Sequence, residues 1–307
     1  MLKVATHSGT FHADDVFAFT MLRAATQGRL QLTRTRDASL LTGADVVFDV
    51  GGSLDTAAGR YDHHMRNGPE RSSGEPFSSA GLIWRDYGEA VVRQFVPSAT
   101  PEAVRKIVEK VDLGLVRDVD LMDNGAMPPT PGHFSTVVEA FNATFAEDCR
   151  EEDAAFLEAV DLATAVLKRV CIQSHAAILA EQTVAEAARA ATDPRIIVLD
   201  VRVPWEDAVF DLTLDEALYV VRPAGDSWTC SAVPPSRGSF EQKLPLPDAW
   251  AGLRDAALAE TAGVADATFC HPARFVAGAL SREGAVALAR LAVGMRTDAP
   301  LERSTGA

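Results

Sequence analysis

The chain has 307 residues, with 43 Asp plus Glu against 29 Lys plus Arg and a formal charge of −14. Hydrophobic residues at 47% and charged residues at 23% give the balance of a globular protein, which excludes a disordered, collagen-like or disulfide-scaffold chain. No window holds about 18 uninterrupted apolar residues, so no membrane-spanning helix is expected, and an acidic chain is ill suited to gripping long duplex DNA along its phosphates.

The length suits two domains. The first 130 residues alternate strand and helix signals. Leu2 to Thr6 reads as a short strand, Asp14 to Ala25 as a well-buried helix, and Gln31 to Arg36 as an edge strand. Asp45 to Val50 (Asp-Val-Val-Phe-Asp-Val) is a β-branched strand stopped by Gly51-Gly52. Helices are predicted over Ser78 to Phe95 and Pro101 to Val111, with loops at 66–77 and 126–133. The run from Glu147 to Ala191 is Ala-rich and nearly free of breakers, which predicts one long helix. Strands follow at Arg195 to Val203, Ala217 to Val221 and Ser227 to Val233. A final helix spans Gly284 to Arg296, and a frayed tail starts at Thr297. The expected fold class is therefore α/β, with a parallel sheet first and a smaller α/β domain last. The boundaries are placed at 1–146, 147–192 for the linking helical segment, and 193–307.

Four of the seven histidines lie within the first 64 residues, each pair beside carboxylates. His7-Ser-Gly-Thr-Phe-His12-Ala-Asp14-Asp15 falls where the first strand ends and a helix begins. Asp49 closes the next strong strand, Tyr61-Asp62-His63-His64 follows, and Asp118-Val-Asp120-Leu-Met-Asp123 comes later. In open parallel sheets ligands bind at the carboxyl ends of the strands. Imidazoles mixed with carboxylates suit Mn, Fe, Co or Zn better than Mg or Ca. Six or seven such groups exceed the needs of one ion and match two ions sharing a carboxylate, about 3.5–4 Å apart. Asp14-Asp15 also has a plainer explanation, as acids that favour a helix N-terminus. The four cysteines, Cys149, Cys171, Cys230 and Cys270, form no CxxC pair and are expected to be reduced, mostly buried thiols. With no leader or presequence read at Met1 to His7, a cytoplasmic protein is expected.

The ordered set resembles a known family. Thr6-His7-Ser-Gly-Thr-Phe-His12-Ala-Asp14-Asp15, Phe48-Asp49-Val-Gly-Gly52 and Tyr61-Asp62-His63-His64 look like the melanocyte proliferating gene 1 (Myg) family, within the DHH phosphoesterase superfamily. Ser79-Ala-Gly-Leu-Ile-Trp84 and Asp120-Leu-Met-Asp123-Asn124-Gly125 continue the match, as do Gly238-Ser-Phe-Glu241, Leu246 to Leu253 and Phe269 to Gly278. The resemblance implies a two-domain DHH-type metal-dependent phosphoesterase with a substrate-binding C-terminal domain. It implies two divalent ions, Mn²⁺ first and Mg²⁺, Co²⁺ or Zn²⁺ as others. His7, His12 and Asp14 would be ligands from the first motif, Asp49 the bridge, His63 a ligand, and Asp120, ahead of Asp123, the closing ligand. His12 stands where the common superfamily motif has an Asp, with one extra residue before it. His64 would face the phosphate, with Asp62 orienting a histidine.

Eukaryotic members are described as 3′–5′ RNA exonucleases, so the expected activity is exonucleolytic, on short single-stranded RNA or DNA. The alternatives are a phosphatase or pyrophosphatase on a small metabolite, a metal-dependent amide hydrolase, and a non-catalytic metal-binding module. Expected partners are a short oligonucleotide or small phosphorylated molecule, with a homodimer left open. In the C-terminal half, Arg237, Lys243, His271, Arg274 and Gly278 are the substrate-binding candidates, Gly278 because a glycine lets backbone N–H groups approach a phosphate. Trp250 is expected in the core rather than as a stacking platform.

Overall fold

The architecture follows from two sheets, each built around one strongly apolar strand. The structure is a computed structural model, and it describes residues 1–147 and 151–297. Cys149 and all but the first residue of the expected frayed tail lie outside the described residues. The chain divides into two units, 1–176 and 177–307, with the division inside one long helix.

In the first unit the elements run β1 (Leu2–Thr6), α1 (Ala13–Ala25), β2 (Leu30–Arg34), α2 (Ala38–Thr42), β3 (Val46–Phe48), β4 (Leu54–Asp55) and β5 (Arg60–Tyr61). Helices α3 (Ser79–Phe95), α4 (Pro101–Val111), α5 (Arg117–Asp123), α6 (Phe134–Glu139) and α7 (Glu152–Ala190) follow. The sheet order is β2-β1-β3-β5-β4, with the first four parallel and the short β4 antiparallel at one edge. The parallel strands therefore end on one edge, which brings Thr6, Phe48 and Tyr61 together and makes the residues after them neighbours.

Helix α1 lies at the centre of this unit. Val16, Phe17, Ala18, Phe19, Met21 and Leu22 are all buried, because α1 packs against α3 and α6 while Phe19 also meets Phe156 of α7. Helix α3 starts at Ser78, whose hydroxyl accepts from the Ala80 N–H, and α4 starts at Thr100 with Pro101 in its first turn. One stretch escapes sequence reading. Asp112–Val116 is a π-helical turn between α4 and α5, which rotates α5 relative to the 3.6-residue period.

The second unit contains β6 (Ile196–Val198), α8 (Glu206–Asp211), β7 (Tyr219–Ala224), β8 (Ser227–Ala232), α9 (Asp255–Ala262), β9 (Ala267–Cys270), β10 (Val276–Ala279) and α10 (Arg282–Thr297). Its sheet order is β6-β7-β8-β10-β9, and only β6 and β7 are parallel. The expected strand Arg195 to Val203 is cut to Ile196–Val198. One face of this sheet (Tyr219, Val221, Cys230, Ala232, Ala277, Ala279) joins a core with Trp250, Leu258 and Leu288. Trp250 is thus a core residue, fully buried. Cys171, Cys230 and Cys270 are free and buried. Among the described residues no helix is long and apolar enough to cross a membrane.

Candidate metal centre

The carboxyl edge of the first sheet gathers most of the chemistry. His7 follows β1, and its Nδ1 donates to the Ser8 carbonyl at 3.2 Å, which turns Nε2 inward. That Nε2 lies 3.1 Å from Asp49 Oδ2 and 3.3 Å from Asp15 Oδ2. His12, exposed, is the N-cap of α1, and its N–H donates to Asp15 Oδ1 at 3.0 Å. The loop between the two histidines is clamped at two points. Asn142 takes both the N–H and the carbonyl of Phe11 (3.0 and 2.8 Å), and the buried Arg34 guanidinium donates to the Gly9 carbonyl.

Asp49 ends β3 in a left-handed conformation, φ +54°, and Gly51 and Gly52 continue at φ +99° and +65°. A non-glycine residue held there is strained, and Asp tolerates it better than most. The turn stops the strand at Phe48, two residues before the Val50 of the sequence pattern, and places Asp49 at the sheet edge. His63 Nε2 lies 3.4 Å from Asp49 Oδ1, 3.2 Å from Asp123 Oδ2 and 3.8 Å from Asp14 Oδ2. Four overlapping groups have donor atoms close enough to share an ion: His7-His12-Asp49, Asp49-His63-His64, His12-Asp14-Asp123 and Asp14-Asp15-Asp49. Asp49 belongs to three of them.

The electrostatics are those of a site short of positive charge. Burial and the carboxylates of Asp49, Asp123 and Asp15 push the Asp14 carboxyl well above its ordinary range. Burial lifts Asp15 to about 7 against the pull of His7. Asp49 goes the other way: burial opposes its charge, but hydrogen bonds from His63 and His7 win and hold it at about 2. Both imidazoles are raised in turn: burial opposes their charge, but Asp49 together with Asp15 for His7, and with Asp123 for His63, outweighs it. Both oxygens of Asp14, Oδ2 of Asp15, Oδ1 of Asp49 and Nε2 of His63 are buried without a well-formed hydrogen bond. Buried polar atoms without partners are rare in native proteins, and clustered carboxylate oxygens with facing imidazole nitrogens fit divalent ions.

His64 sits at the exposed rim of these groups, its Nδ1 3.5 Å from Asp49 Oδ1. Its side chain is 62% exposed, and Nδ1 lies 2.9 Å from Asp62 Oδ1. Asp62 also accepts from the His64 N–H (3.0 Å) and the Gly52 N–H (2.6 Å), so one carboxylate fixes both the imidazole and the glycine turn.

The geometry separates the two acids offered for the closing position. Asp123 joins the cluster. Asp120, expected ahead of it, does not: its Oδ1 accepts from Ser78 Oγ (2.5 Å) and the Gly81 N–H (3.0 Å), and its Oδ2 pairs with Arg71 at 2.7 Å. Arg71 comes from the 66–77 loop and also binds Asp112. A side chain on Gly81 would collide with the Asp120 carboxylate, so that glycine makes room for the anchor. Asp15 is the residue that sequence reading missed. The helix N-terminus explained it too easily, whereas two successive buried acids in one first turn were the available signal.

The substrate-binding candidates of the second unit are not brought together as free cations. Arg237 pairs with Asp207 and Asp211, and Lys243 donates to the Asp215 carbonyl. Arg274 pairs with Asp248 and donates to the Leu246 carbonyl. His271 accepts from the Ala273 N–H and packs at a 53° tilt against the Phe275 ring. Gly278 lies in β10, paired with Thr229 on one side and Phe269 on the other. A Cβ there would meet the Phe269 ring at 2.6 Å, so the glycine makes room for the packing of neighbouring strands.

Comparisons with known proteins agree with the sequence resemblance. The family model MYG1_exonuc, described as an uncharacterised protein family (UPF0160), matches residues 3–293. The MYG1 exonuclease of Homo sapiens is 31% identical over 328 residues, which cover 97% of this chain and 87% of that protein. A MYG1 protein of Schizosaccharomyces pombe is 32% identical over 324 residues, 95% of this chain and 98% of that one. Among solved structures, RecJ from Thermus thermophilus in complex with Mg²⁺ aligns with a TM-score of 0.27 and 12% identity, over 97% of this chain and 50% of that chain. With a family match over nearly its whole length and relatives aligned end to end, the chain belongs to the MYG1 family.

Proposed function

We propose that the protein is a metal-dependent phosphodiesterase that removes nucleotides from the 3′ ends of short single-stranded RNA or DNA. The observation that carries this reading is Asp49, shared among three ligand groups and surrounded by buried oxygens without partners. The name exonuclease borne by the human and rat relatives supports it. His7, His12, Asp14, Asp15, Asp49, His63 and Asp123 are the residues that would hold two divalent ions, with Mn²⁺ the first choice for a mixed imidazole and carboxylate set. Such ions supply a water nucleophile at neutral pH and neutralise the charge that builds on the phosphoryl oxygens.

The chain's own side chains do the rest. Asp62 holds the His64 ring by Nδ1, leaving Nε2 to meet a phosphate oxygen at the exposed mouth of the site. Asn142 and Arg34 keep His7 and His12 in register, so the ligands are placed before substrate arrives. The net charge of −14 repels long polyanions and suits short strands. On this reading the second unit, 177–307, binds the strand.

The test is hydrolysis of 5′- and 3′-labelled oligonucleotides of several lengths with Mn²⁺. Mononucleotides released stepwise from the 3′ end of short single strands are expected. Preference for long duplex, or cleavage of acetyl-amide substrates and not phosphodiesters, would overturn the proposal.

A further inference from the structure

The second unit contains a basic pocket that none of the expected substrate-binding residues touches. Its sheet has two faces. Beyond the face buried under α9 and α10, the other buries Val220 against Trp205, Ala208 and Val209. That cover stops partway along. Arg222, directly opposite Thr229, and Ser231, opposite Val276, continue the same face and line a pocket. Polar side chains on a sheet face next to its core mark a surface kept for something other than packing.

These residues line a cavity of about 330 Å³, walled by Trp205 and closed by Arg202 and Phe275. Its size lies at the lower end of the range of about 300–1,000 Å³ found for small-ligand sites. Two arginines face it. Burial and then the charge of Arg202 make it harder for Arg222 to hold its proton, so the pair is short of an anion. The Arg222 Nε is buried with no hydrogen-bond partner. The exposed Glu206 at the rim supplies the one carboxylate lining the cavity and offsets the two cations only in part. Phe275 is 42% exposed, a flat apolar surface beside the guanidinium groups.

We infer that this pocket binds one nucleotide, its phosphate held by Arg202, Arg222 and the Thr229 and Ser231 hydroxyls, its base laid against Phe275. Guanidinium groups match phosphate oxygens with paired donors, and base–aromatic stacking tolerates every base. The inference deepens the phosphodiesterase reading by giving the strand a place to bind, and it can be tested without turnover.

The test is calorimetric titration of the full chain with adenosine 5′-monophosphate and with adenosine, in chelator, where the metal-free acidic centre repels phosphate. The monophosphate is expected to bind and adenosine to bind at least tenfold more weakly. Arg222→Ala and Arg202→Ala should each lower affinity for the monophosphate about tenfold or more, and Arg222→Lys should restore part of it. Arg93→Ala, on α3, should leave it unchanged. Arg202 is exposed, so its replacement leaves the fold intact and keeps the test decisive. In parallel, Mn²⁺-dependent hydrolysis of bis(4-nitrophenyl) phosphate is measured on the wild type, with Arg93→Ala expected to stay within twofold of it. If that hydrolysis is missing from the wild type while the arginine-dependent binding holds, the activity reading falls and the pocket stands. Unchanged monophosphate affinity in both alanine variants, or equal affinity for adenosine, would overturn the pocket.

Discussion

Asp49→Asn keeps the side chain's shape and removes the charge on which the centre depends. In the metal-free protein Asp49 is the one acid of the cluster whose charge is well compensated. Its carboxyl is held at about 2 against an ordinary 3.8, and at about 1.4 kcal/mol for each tenfold change in proton affinity this corresponds to roughly 2 kcal/mol. Because the pKa is lowered, that stabilisation is present above pH 3.8 and lost as pH falls through about 2. The substitution removes it at pH 6, while relief of repulsion on Asp14 and Asp15 returns part. The metal-free variant should therefore be destabilised by at most about 2 kcal/mol, a few degrees in Tm for a chain of this size. With ions at 100 times their Kd the wild type gains about 2.7 kcal/mol. The variant should lose most of that gain, and phosphodiester hydrolysis should fall by about 10³-fold or more. His133→Asn is the control: His133 caps α6 through the Ser135 N–H, and Asn caps equally well. The assay is thermal unfolding with and without Mn²⁺, alongside hydrolysis. An Asp49→Asn variant with the wild-type increase in Tm on adding Mn²⁺ would refute a bridging Asp49.

The two acids of α5 should separate cleanly. Asp120→Asn should lower stability by on the order of 2 kcal/mol, because it loosens the buried pair with Arg71, yet keep metal content per folded molecule. Asp123→Asn should do the reverse, and metal analysis of both checks it. Gly81→Ala should destabilise by roughly 1–3 kcal/mol, since the new Cβ strikes the Asp120 carboxylate and the Phe77 ring. Urea unfolding at equal slope measures it. For the metal-free protein, Asp15 at about 7 and Asp120 at about 6 are raised acids, so their stabilising protonation is complete below pH 3.8 and lost as pH climbs through those values. Tm without metal should fall between pH 5 and 8 (roughly the span of those two titrations), and saturating Mn²⁺ should flatten or reverse the slope.

Much of the first unit was legible because its signals are local. The β-branched run of β3, the Thr100-Pro101 start of α4 and the breaker-free α7 follow from the sequence pattern alone. The His and Asp clusters were legible for a topological reason: parallel strands end on one edge, so the residues just after β1, β3 and β5 must meet. Long-range pairing was not legible. Asp120 and Asp123 sit three residues apart on one helix, and Arg71, Ser78 and the Gly81 N–H, all remote in sequence, hold Asp120 away from the cluster. In the second unit every cation chosen from its neighbours in sequence is engaged elsewhere, Arg237 by α8 and Arg274 by the Leu246 segment. Arg222 lay one residue past the expected strand Ala217 to Val221, whereas β7 runs on to Ala224 and so gives Arg222 a face of the sheet. Strands β9 and β10 escaped notice because each is only four residues long and β10 (Val-Ala-Gly-Ala) has mostly small side chains.

The most direct test of the account is metal stripping followed by titration. Protein freed of metal by chelation should show no release of nucleotides from a short 3′-labelled single strand. Activity should return with Mn²⁺ and reach its maximum as two ions bind per chain, measured by elemental analysis of the same sample. Full activity in the stripped protein, or maximal activity with no bound ion, would contradict a two-ion centre built on Asp49.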